Sequence, residues 1–428
     1  MRLLLANEKG EVYEHPVLQA AGRTGDSIVP LSEEELIPLP PGATLVLVPQ
    51  GRPLGFDRRG KLQEVVRDPY RGWGKVYAVA ALLPQGFTRL YLPAYARREA
   101  QPLPLFGFTA VAWREDGFYV AARRTDDPER WDPCYYSTPQ LPRLIERRRQ
   151  EMPGNRLLKH LARCALEYNC FTAQNIFYRR WEGGIPSSPV CNAGCLGCIS
   201  FQPAECCPAP QSRIDFLPTW EEIVEVGWKH LSEGEEAIIS FGQGCEGEPA
   251  LQAPLLATAI KEIRKRTSAG TININTNGGH TAGIAALVDA GLDTMRVSFI
   301  SAREEVFRAY FCPRNYSLQD VKASIREARK AGVYVSLNLL TMPGLTDRPK
   351  EIRALVEFIR ETGVNMVQLR NLNIDPDYLF SRLPRAQEKG IGVGAMVDLL
   401  QRELPEVKIG NFSRPRGREK KKLKEGWY

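Results

Sequence analysis

Strand-like and helix-like segments alternate between residues 186 and about 375, and this alternation restricts the fold of the 428-residue chain more than any other feature. The predicted strands cover residues 237–241, 271–276, 294–299, 333–340 and 366–369. A further short strand is expected to lead into Cys191. Strands that alternate with amphipathic helices form a parallel sheet. A complete eight-unit barrel takes about 250 residues, so about 190 residues suit roughly six units. The sequence therefore predicts an α/β fold, a partial (β/α)6 TIM-like barrel.

The ends of the predicted helices carry capping signals. Thr219 with Glu222 and Ser317 with Asp320 each form a capping-box pattern at a helix start. Glycines stand where three of the helices are expected to end: Gly291, Gly332 and Gly363. These signals place the helices between the strands, as the barrel requires.

The chain divides into four predicted regions. Residues 1–150 carry short apolar segments and dense prolines, which is typical of a mostly-β N-terminal module with one or two short helices. Residues 151–185 have helical spacing and are predicted to be a connector. The barrel covers residues 186–385, and residues 386–428 are expected to form a C-terminal helix or strand and a basic tail. The N-terminal module has nothing at catalytic spacing, so we expect it to cover the barrel, dock or present a substrate.

Composition limits the class of protein. Hydrophobic residues make up 43% of the chain and charged residues 25%, which is ordinary for a globular protein. There is no stretch of about 18 consecutive apolar residues, so no membrane span is expected. The first ten residues become polar too soon for a signal peptide, which predicts a cytoplasmic protein. Ten cysteines in such a chain indicate metal or thiol chemistry rather than a disulfide framework.

The net charge of +7 comes largely from the C-terminal tail. Its basic residues are Arg414, Arg416, Arg418, Lys420, Lys421, Lys422 and Lys424. A basic run can bind nucleic-acid phosphates, but a single short run is more often a solvated terminus. We favour the solvated terminus and keep nucleic-acid binding as the alternative.

Three cysteines, Cys191, Cys195 and Cys198, lie within eight residues. This spacing places three sulfurs on one tight loop, close enough to hold one metal centre. Three ligands are one short of a closed site, and proteins use an open position for metal chemistry on a substrate. A structural zinc site is the alternative, but zinc sites of this kind usually add a second C-x2-C pair. The spacing therefore favours an iron–sulfur cluster over zinc.

Polar and glycine-rich segments follow every predicted strand. They include the cysteine triplet and the residues 242–249, 276–279, 298–301, 338–344 and 370–375. In parallel α/β barrels the active site lies at the C-terminal ends of the strands, on these loops. Six such loops at one face are hard to explain by packing alone.

The pattern C-x3-C-x2-C resembles the cluster-binding signature of the radical S-adenosylmethionine (SAM) superfamily, which is built on the same kind of partial barrel. The resemblance implies that Cys191, Cys195 and Cys198 bind three irons of a [4Fe-4S] cluster and that S-adenosyl-L-methionine chelates the fourth. It also implies reductive cleavage of SAM to a 5'-deoxyadenosyl radical that abstracts hydrogen from a substrate. A reductant such as ferredoxin or flavodoxin is the implied partner.

Further motifs of the barrel resemble those of the same superfamily. Glu246-Gly247-Glu248-Pro249 is similar to its G-G-E-P motif, which implies that Gly247, Glu248 and Pro249 hold the methionyl amino group. Thr276-Asn277-Gly278 is similar to a T-N-G segment, and Ser298 ends a strand similar to V-S-L-D-S. The resemblance assigns Thr276, Asn277 and Ser298 to the ribose or carboxylate of SAM. Asn338 and Arg370 are weaker candidates for cofactor or substrate contacts.

Two positions depart from the superfamily pattern. Gly197 stands where an aromatic residue usually precedes the third cysteine, and Glu246 replaces the first glycine of G-G-E-P.

The other cysteines are expected to be incidental or structural. Cys206, Cys207, Cys245 and Cys312 fall on loops of the predicted active face, where one of them can donate hydrogen or several can ligate a second cluster. No C-x2-C spacing groups them, so we favour neither role. Cys164 and Cys170 are predicted to be buried structural thiols.

The sequence therefore predicts a radical SAM enzyme. It leaves the substrate open between a peptide or protein side chain, a tRNA base and a small metabolite. The alternative is a non-catalytic metal- or cluster-binding protein that binds nucleic acid through its tail.

Overall fold

The structure is a computed structural model that describes residues 1–97, 101–201 and 211–415. It contains an N-terminal antiparallel β region, a group of three helices and a parallel half-barrel. The α/β fold class and the mostly-β N-terminal region predicted from the sequence are confirmed.

The N-terminal region consists of short strands with two longer ones. They are β1 Arg2–Asn7, β2 Val12–Thr24, β3 Ser27–Pro30, β4 Ile37–Pro38, β5 Thr44–Leu47, β6 Arg52–Phe56, β7 Leu62–Glu64, β8 Val76–Leu82, β9 Phe87–Arg89, β10 Leu92–Pro93, β11 Tyr95–Ala96, β12 Phe108–Thr109, β13 Val111–Arg114, β14 Gly117–Val120 and β15 Ala122–Arg124. Single turns of 3-10 helix occur at Glu33–Glu35, Glu129–Trp131 and Pro133–Tyr135.

Strand β1 is the centre of the N-terminal sheet. It pairs antiparallel with β2, β8 and β13. Its neighbouring residues Leu4 and Leu5 point to opposite faces of the sheet, and both are buried. A hairpin turn at Glu115-Asp116-Gly117 joins β13 to β14, with Arg114 opposite Gly117. Strands β9 and β15 form a separate pair that lies nearer the barrel.

Three helices connect the two parts: α1 Leu141–Glu151, α2 Arg156–Glu167 and α3 Phe171–Tyr178. The helical region thus begins about ten residues before the predicted boundary at 151. It also ends earlier, since the first barrel strand starts at Arg180, inside the predicted connector 151–185. Buried Leu157, Leu158 and Leu161 form the inner face of α2.

The half-barrel contains seven parallel strands whose spatial order follows the chain. The strands are β16 Arg180–Gly184, β17 Glu235–Phe241, β18 Thr271–Thr276, β19 Thr294–Phe299, β20 Tyr334–Thr341, β21 Met366–Asn371 and β22 Lys408–Gly410. The helices are α4 Trp220–Glu233, α5 Ala253–Arg266, α6 Thr281–Ala290, α7 Glu304–Phe311, α8 Leu318–Lys330, α9 Pro349–Thr362, α10 Pro376–Arg382 and α11 Val393–Glu403, with a 3-10 turn at Pro249–Gln252. Strand β22 adds a short seventh strand, in the region where a C-terminal helix or strand was expected.

The predicted capping signals have the expected geometry. Thr219 and Glu222 form a complete capping box at the start of α4, and Ser317 and Asp320 form one at α8. Gly291 ends α6 in the left-handed conformation that glycine adopts without strain. These local signals fix where each strand–helix unit turns.

The N-terminal sheet attaches to the open edge of the half-barrel through Arg89. Its backbone N–H donates to Asn371 Oδ1 (2.8 Å), and Asn371 Nδ2 donates back to Phe87 O (3.0 Å). The buried Arg89 guanidinium donates to Phe106 O and Phe108 O in its own region and to Leu372 O in the barrel. One side chain therefore joins β9 to the loop after β21.

Two aspartates provide further attachments. Asp375 accepts hydrogen bonds from Leu103 N (2.9 Å) and Arg97 (3.3 Å), so it holds the N-terminal region to α10. Asp126 accepts hydrogen bonds from the backbone of Asn411 (2.8 Å) and Phe412 (3.1 Å), which follow β22. The β region thus lies along β21 and β22, where the incomplete barrel would otherwise end.

Across the described ranges, no helix combines the length and the apolar character that crossing a bilayer requires.

Candidate active site

A cavity of about 720 Å³ opens at the C-terminal ends of the barrel strands. Its walls come from the loops that follow β16 to β21, and Gln85 of the N-terminal region completes one side. The cysteine triplet, the loop after β17 and the polar ends of β18 to β21 all reach this cavity. Parallel strands bring their C-terminal ends to the same edge, so the fold gathers residues that lie far apart in the sequence.

The cysteine triplet lies on the loop after β16, and all three cysteines line the cavity. Backbone hydrogen bonds hold this loop against α7, with Gly194 N donating to Phe311 O (2.9 Å) and Leu196 N to Tyr310 O (3.0 Å). Burial raises the pKa of Cys195 well above its usual range, and the neighbouring Cys198 and Cys191 thiols add to this effect. Three converging thiols with one side open to a cavity are a donor set that fits a cluster with one iron exposed.

The first departure from the superfamily pattern, Gly197, has a packing reason. A Cβ at Gly197 would lie 2.8 Å from Tyr310 Oη and 3.3 Å from Leu372 Cδ1. Tyr310 is 2% exposed and lines the cavity next to the triplet. An aromatic ring is thus present beside the cluster loop, but it comes from α7 and occupies the space that a side chain at 197 would need.

The second departure, Glu246, is a structural clamp. Its Oε2 accepts hydrogen bonds from Ser187 N (2.7 Å), Ser187 Oγ (3.0 Å) and Ser188 N (3.0 Å). Its Oε1 accepts from Gly242 N (2.5 Å) and Gln243 N (2.9 Å). Burial raises the pKa of Glu246 to about 7, and the hydrogen bonds oppose this rise. The carboxylate thereby ties the loop after β17 to the segment that precedes the triplet.

Gly247 allows that loop to pair closely with the same segment. Its N–H donates to Ser188 O (2.7 Å), and the N–H of Glu248 donates to Val190 O (2.8 Å). A Cβ at Gly247 would overlap the carbonyl of Val190, so no larger residue fits without moving the backbone. The backbone at Gly247 therefore lies directly beside the start of the cluster loop.

Glu248 connects the loops after β17 and β18. It accepts hydrogen bonds from Ala250 N (3.0 Å), Thr276 Oγ1 (2.6 Å) and Asn277 N (2.7 Å). Burial raises the pKa of Glu248 above its usual range. Asn277 Nδ2 in turn donates to Asn192 Oδ1 in the cluster loop (2.7 Å). One hydrogen-bonded chain thus links three of the predicted site loops.

The structure brings most of the predicted site residues to one cavity. Six of the seven predicted cofactor contacts line it: Gly247, Glu248, Thr276, Asn277, Ser298 and Asn338. Pro249 does not; it is buried at the start of a 3-10 turn. Their assignment to SAM stays a prediction.

The floor of the cavity is a polar network that the sequence analysis missed. Glu182 on β16 is 5% exposed and forms an ion pair with Arg296 on β19 (2.9 Å). Ser240 Oγ on β17 donates to the same Glu182 oxygen (2.7 Å). Arg296 also donates to Asn275 Oδ1 (2.5 Å) and Gln368 Oε1 (3.2 Å). Side chains from three other strands therefore bind one buried arginine.

A second arginine, Arg370 on β21, lies on the same floor. It donates to two amide oxygens, Asn338 Oδ1 and Gln85 Oε1, each at 3.3 Å. Burial lowers the pKa of Arg370 to about 10, with a smaller contribution from the charge of Arg296. Neither of these partners carries a charge, so Arg370 retains its positive field toward the cavity.

The sequence contains a signal for this floor. Polar residues occupy every second position of otherwise apolar buried strands: Asn273 and Asn275, Arg296 and Ser298, Ser336 and Asn338, and Gln368 and Arg370. Residues two apart on a strand point to the same face. This alternation along the strands, and not only the loops, identifies the residues that face the interior of the barrel.

The remaining cysteines differ in their position relative to the cavity. Cys206 and Cys207 lie outside the described residues. Cys312 is exposed after α7, and its carbonyl accepts from Gly194 N (3.3 Å). Cys170 is half-buried and lines the cavity, whereas Cys164 is buried as predicted.

Cys245 lies away from the cavity lining and close to Cys164. A hydrogen bond from Cys245 holds the pKa of Cys164 below its usual range, and the same contact raises the pKa of Cys245. His160 Nε2 lies 3.5 Å from Cys164 Sγ.

Of the basic tail, Arg414 is within the described part of the chain. Its guanidinium forms an ion pair with Asp126 (2.8 Å), so its charge is paired within the protein. The other basic residues of the tail lie outside the described residues.

The fold and this site define the class of protein. Residues 185–359 match the family model described as Radical SAM superfamily. This part of the chain matches the superfamily that the sequence motifs predict, which confirms that prediction without fixing the subfamily. Members of the superfamily use a [4Fe-4S] cluster and SAM, so the predicted cofactor class is confirmed as well.

Curated relatives match a part of the chain. A GTP 3',8-cyclase of Nautilia profundicola is 30% identical over 177 residues, which is 41% of this chain and 51% of the relative. A probable GTP 3',8-cyclase of Methanothermobacter marburgensis is 35% identical over 131 residues, 29% of this chain and 42% of the relative. The matched segments span about half the length of these relatives or less.

Solved structures with a similar fold have low sequence identity. The FeFe-hydrogenase maturase HydG from Carboxydothermus hydrogenoformans is 15% identical, with a TM-score of 0.37 over 63% of this chain and 68% of that one. SuiB from Streptococcus suis, bound to S-adenosylmethionine, is 13% identical, with a TM-score of 0.38 over 60% and 54%.

Proposed function

We propose that this protein cleaves SAM reductively and directs the resulting radical to a C–H bond of a substrate held in the barrel. The observation that carries the proposal is the placement of the cysteine triplet and six predicted cofactor contacts on one cavity. When bound, the [4Fe-4S] cluster and SAM supply the electron transfer and the 5'-deoxyadenosyl radical.

The chain's own residues have separate tasks in this proposal. Cys191, Cys195 and Cys198 would hold the [4Fe-4S] cluster. The backbone at Gly247 and the carboxylate of Glu248 would bind the methionyl amino group of SAM, since a buried carboxylate attracts a cation strongly. Glu248 already accepts three hydrogen bonds, which fix its orientation before the cofactor arrives.

Thr276, Asn277 and Ser298 continue the wall next to Glu248 and are assigned to the ribose or carboxylate of SAM. Asn277 is positioned by its hydrogen bond to Asn192 in the cluster loop. The attached β region contributes Gln85 to the cavity wall beside β21, where Leu372 also lines the cavity.

The floor of the cavity limits the class of substrate. Arg370 donates to two amide oxygens, and Arg296 is already paired with Glu182. We infer that the substrate presents an anionic group to Arg370, because a guanidinium recognises carboxylate or phosphate with charge-assisted hydrogen bonds. GTP is one such compound to test first, since the matched relatives carry it in their names.

The partners and location follow from the same chemistry. The reaction needs one electron at a low potential, so a ferredoxin or flavodoxin is the proposed donor. We propose a cytoplasmic location, since electron donors of that kind and thiols without disulfide partners in the described part of the chain are typical of a reducing compartment.

The test is an anaerobic assay of the full chain after reconstitution with iron and sulfide. The protein is reduced with dithionite, SAM is added, and 5'-deoxyadenosine is quantified. We expect product from the parent protein and from Cys134→Ala, whose exposed thiol lies outside the cavity, and none from Cys195→Ala. Zinc bound by the triplet without SAM cleavage would contradict the proposal.

A further inference from the structure

Three potential metal ligands converge outside the cavity. His160 and Cys164 lie one helical turn apart on α2, and Cys245 lies on the loop after β17. One ligand atom from each of the three lies within 4.8 Å of the other two. Cys164 is 1% exposed and Cys245 is 5% exposed, so the sulfurs are enclosed by protein.

The spacing of these atoms matches a single ion. Zinc binds sulfur at about 2.3 Å and imidazole nitrogen at about 2.0–2.1 Å, which gives a tetrahedral sulfur-to-nitrogen edge of about 3.6 Å. The distance between Cys164 Sγ and His160 Nε2 is 3.5 Å. Thiolates that hold different irons of one cubane have to stand further apart than thiolates that share one ion. A mononuclear centre therefore fits these three residues better than a second cluster.

The local structure directs the three side chains to the same point. Residues four apart on a helix lie on one face, so α2 presents His160 and Cys164 together. Cys245 is held in place by Ile214, whose N–H donates to the Cys245 carbonyl (2.8 Å). Cys170 N donates to Cys164 O (3.1 Å), which ties the start of α3 to α2.

We propose that His160, Cys164 and Cys245 bind one divalent cation of the zinc class. Binding forms one metal–nitrogen and two metal–sulfur bonds and releases the two thiol protons to solvent, so the two thiolates balance the charge of the ion. The ion joins α2 to the loop that contains Glu246 and Glu248. Its role is to hold that loop in position next to the cluster, and it takes no part in electron transfer.

The experiment separates this site from the cluster site. The full chain carrying Cys191→Ala, Cys195→Ala and Cys198→Ala is purified without air, and its metals are measured by mass spectrometry. We expect close to one equivalent of zinc per chain and a strong loss of iron. Replacement by Co²⁺ should give the absorption bands of tetrahedral cobalt–thiolate coordination.

Variants of the proposed ligands provide the second readout. In the same background, Cys164→Ser and Cys245→Ser should each lose the zinc equivalent and the cobalt–thiolate bands. The matched control is Cys134→Ser, at an exposed cysteine of a 3-10 turn, and it should retain both. Circular dichroism establishes that the variants are folded. If a ligand variant does not fold, the Co²⁺ spectrum of the triple variant decides alone.

Several results would overturn the proposal. These are the absence of zinc and of a cobalt–thiolate spectrum in the triple variant, a Cys164–Cys245 disulfide in the protein purified without air, or an equal loss of zinc from Cys134→Ser. None of them depends on SAM cleavage, so the proposed function and the proposed zinc site can fail separately.

Discussion

At the scale of single residues, the two departures from the superfamily motifs are substitutions that the surrounding structure requires. Glu246 stands where the motif has a glycine, and it accepts five hydrogen bonds. Gly197 stands where the motif has an aromatic residue, because Tyr310 occupies the space that a side chain would need. If the motifs are compared without the surrounding structure, both positions look like losses of a functional residue. In the structure, Glu246 holds the segment before the cluster loop, and Gly197 leaves room for Tyr310.

The clamp predicts a large cost for a small change at Glu246. Glu246→Gln replaces one acceptor oxygen with an amide nitrogen, which then faces backbone N–H donors on one side. We expect a loss of about 2–4 kcal/mol in the free energy of unfolding, because a buried group loses its hydrogen bonds. Urea denaturation measures this. Glu221→Gln, at an exposed position of α4, is the control and should change stability by less than about 0.5 kcal/mol. Equal effects of the two variants would refute the clamp.

The contact between Gly197 and Tyr310 predicts non-additive effects. Gly197→Ala places a Cβ 2.8 Å from Tyr310 Oη, so we expect a cost of about 1–3 kcal/mol from overpacking. Tyr310→Phe removes that oxygen, and the double variant should therefore be more stable than the sum of the single effects. A double-mutant cycle by thermal denaturation measures the coupling.

The control for this cycle is Gly194→Ala on the same loop. A Cβ there would meet Cys312 Cβ at 3.5 Å, which is ordinary contact, so little change is expected. Strict additivity between positions 197 and 310 would show that the two residues do not compete for space.

At the scale of elements, the sequence predicts what local rules determine. The alternation of strands and helices and the capping boxes at Thr219 and Ser317 all appear in the structure. Each depends on residues a few positions apart, so periodicity and capping suffice to find it.

Other elements depend on distant parts of the chain. Strand β22 has three residues and pairs with β21, a partner that its own sequence does not indicate. The meeting of Cys245 with His160 and Cys164 requires α2 to pack against the barrel, and spacing within the sequence does not encode that. Arg296 is an intermediate case, since alternation along β19 indicates its direction but not its partner Glu182.

Helix α4 and strand β16 are coupled through His230, which predicts a pH dependence. His230 Nε2–H donates to Trp181 O (2.9 Å), and burial lowers the pKa of His230 to about 4. The unfolded chain has a pKa near 6.5 at this residue and binds the proton first as the pH falls. Stability is therefore lost between about pH 6.5 and pH 4, by on the order of 3 kcal/mol at the lower end.

His230→Gln tests this dependence because the glutamine amide can still donate to Trp181 O but does not titrate. Urea denaturation of both proteins at several pH values between 7.5 and 4.5 gives the difference in stability. We expect the difference to shift in favour of the variant as the pH falls below 6.5. Parallel stability curves for the two proteins would show that His230 does not titrate as described.

At the scale of the whole molecule, the half-barrel and the β region depend on each other. The seven-stranded sheet leaves an open side next to β22, and the loop after β21 reaches the cavity there through Leu372 and Asn373. The β region supplies hydrogen bonds to this loop and a cavity residue, Gln85. The contacts that attach the β region to the barrel therefore also affect the shape of the cavity.

Arg89 is the residue at which this attachment can be tested. Its guanidinium donates hydrogen bonds to three carbonyl oxygens, those of Phe106, Phe108 and Leu372. Burial lowers the pKa of Arg89 to about 9. Arg89→Met leaves all three acceptors without this donor, so we expect a loss of about 3 kcal/mol or more in the free energy of unfolding. Partial digestion by a protease should also become faster at the loop after β21. The control, Arg124→Met, removes an exposed pair with Asp127 and should cost less than about 1 kcal/mol. If Arg89→Met unfolds and is digested like the parent, the β region is held to the barrel by other contacts and Arg89 has no special part in forming the site.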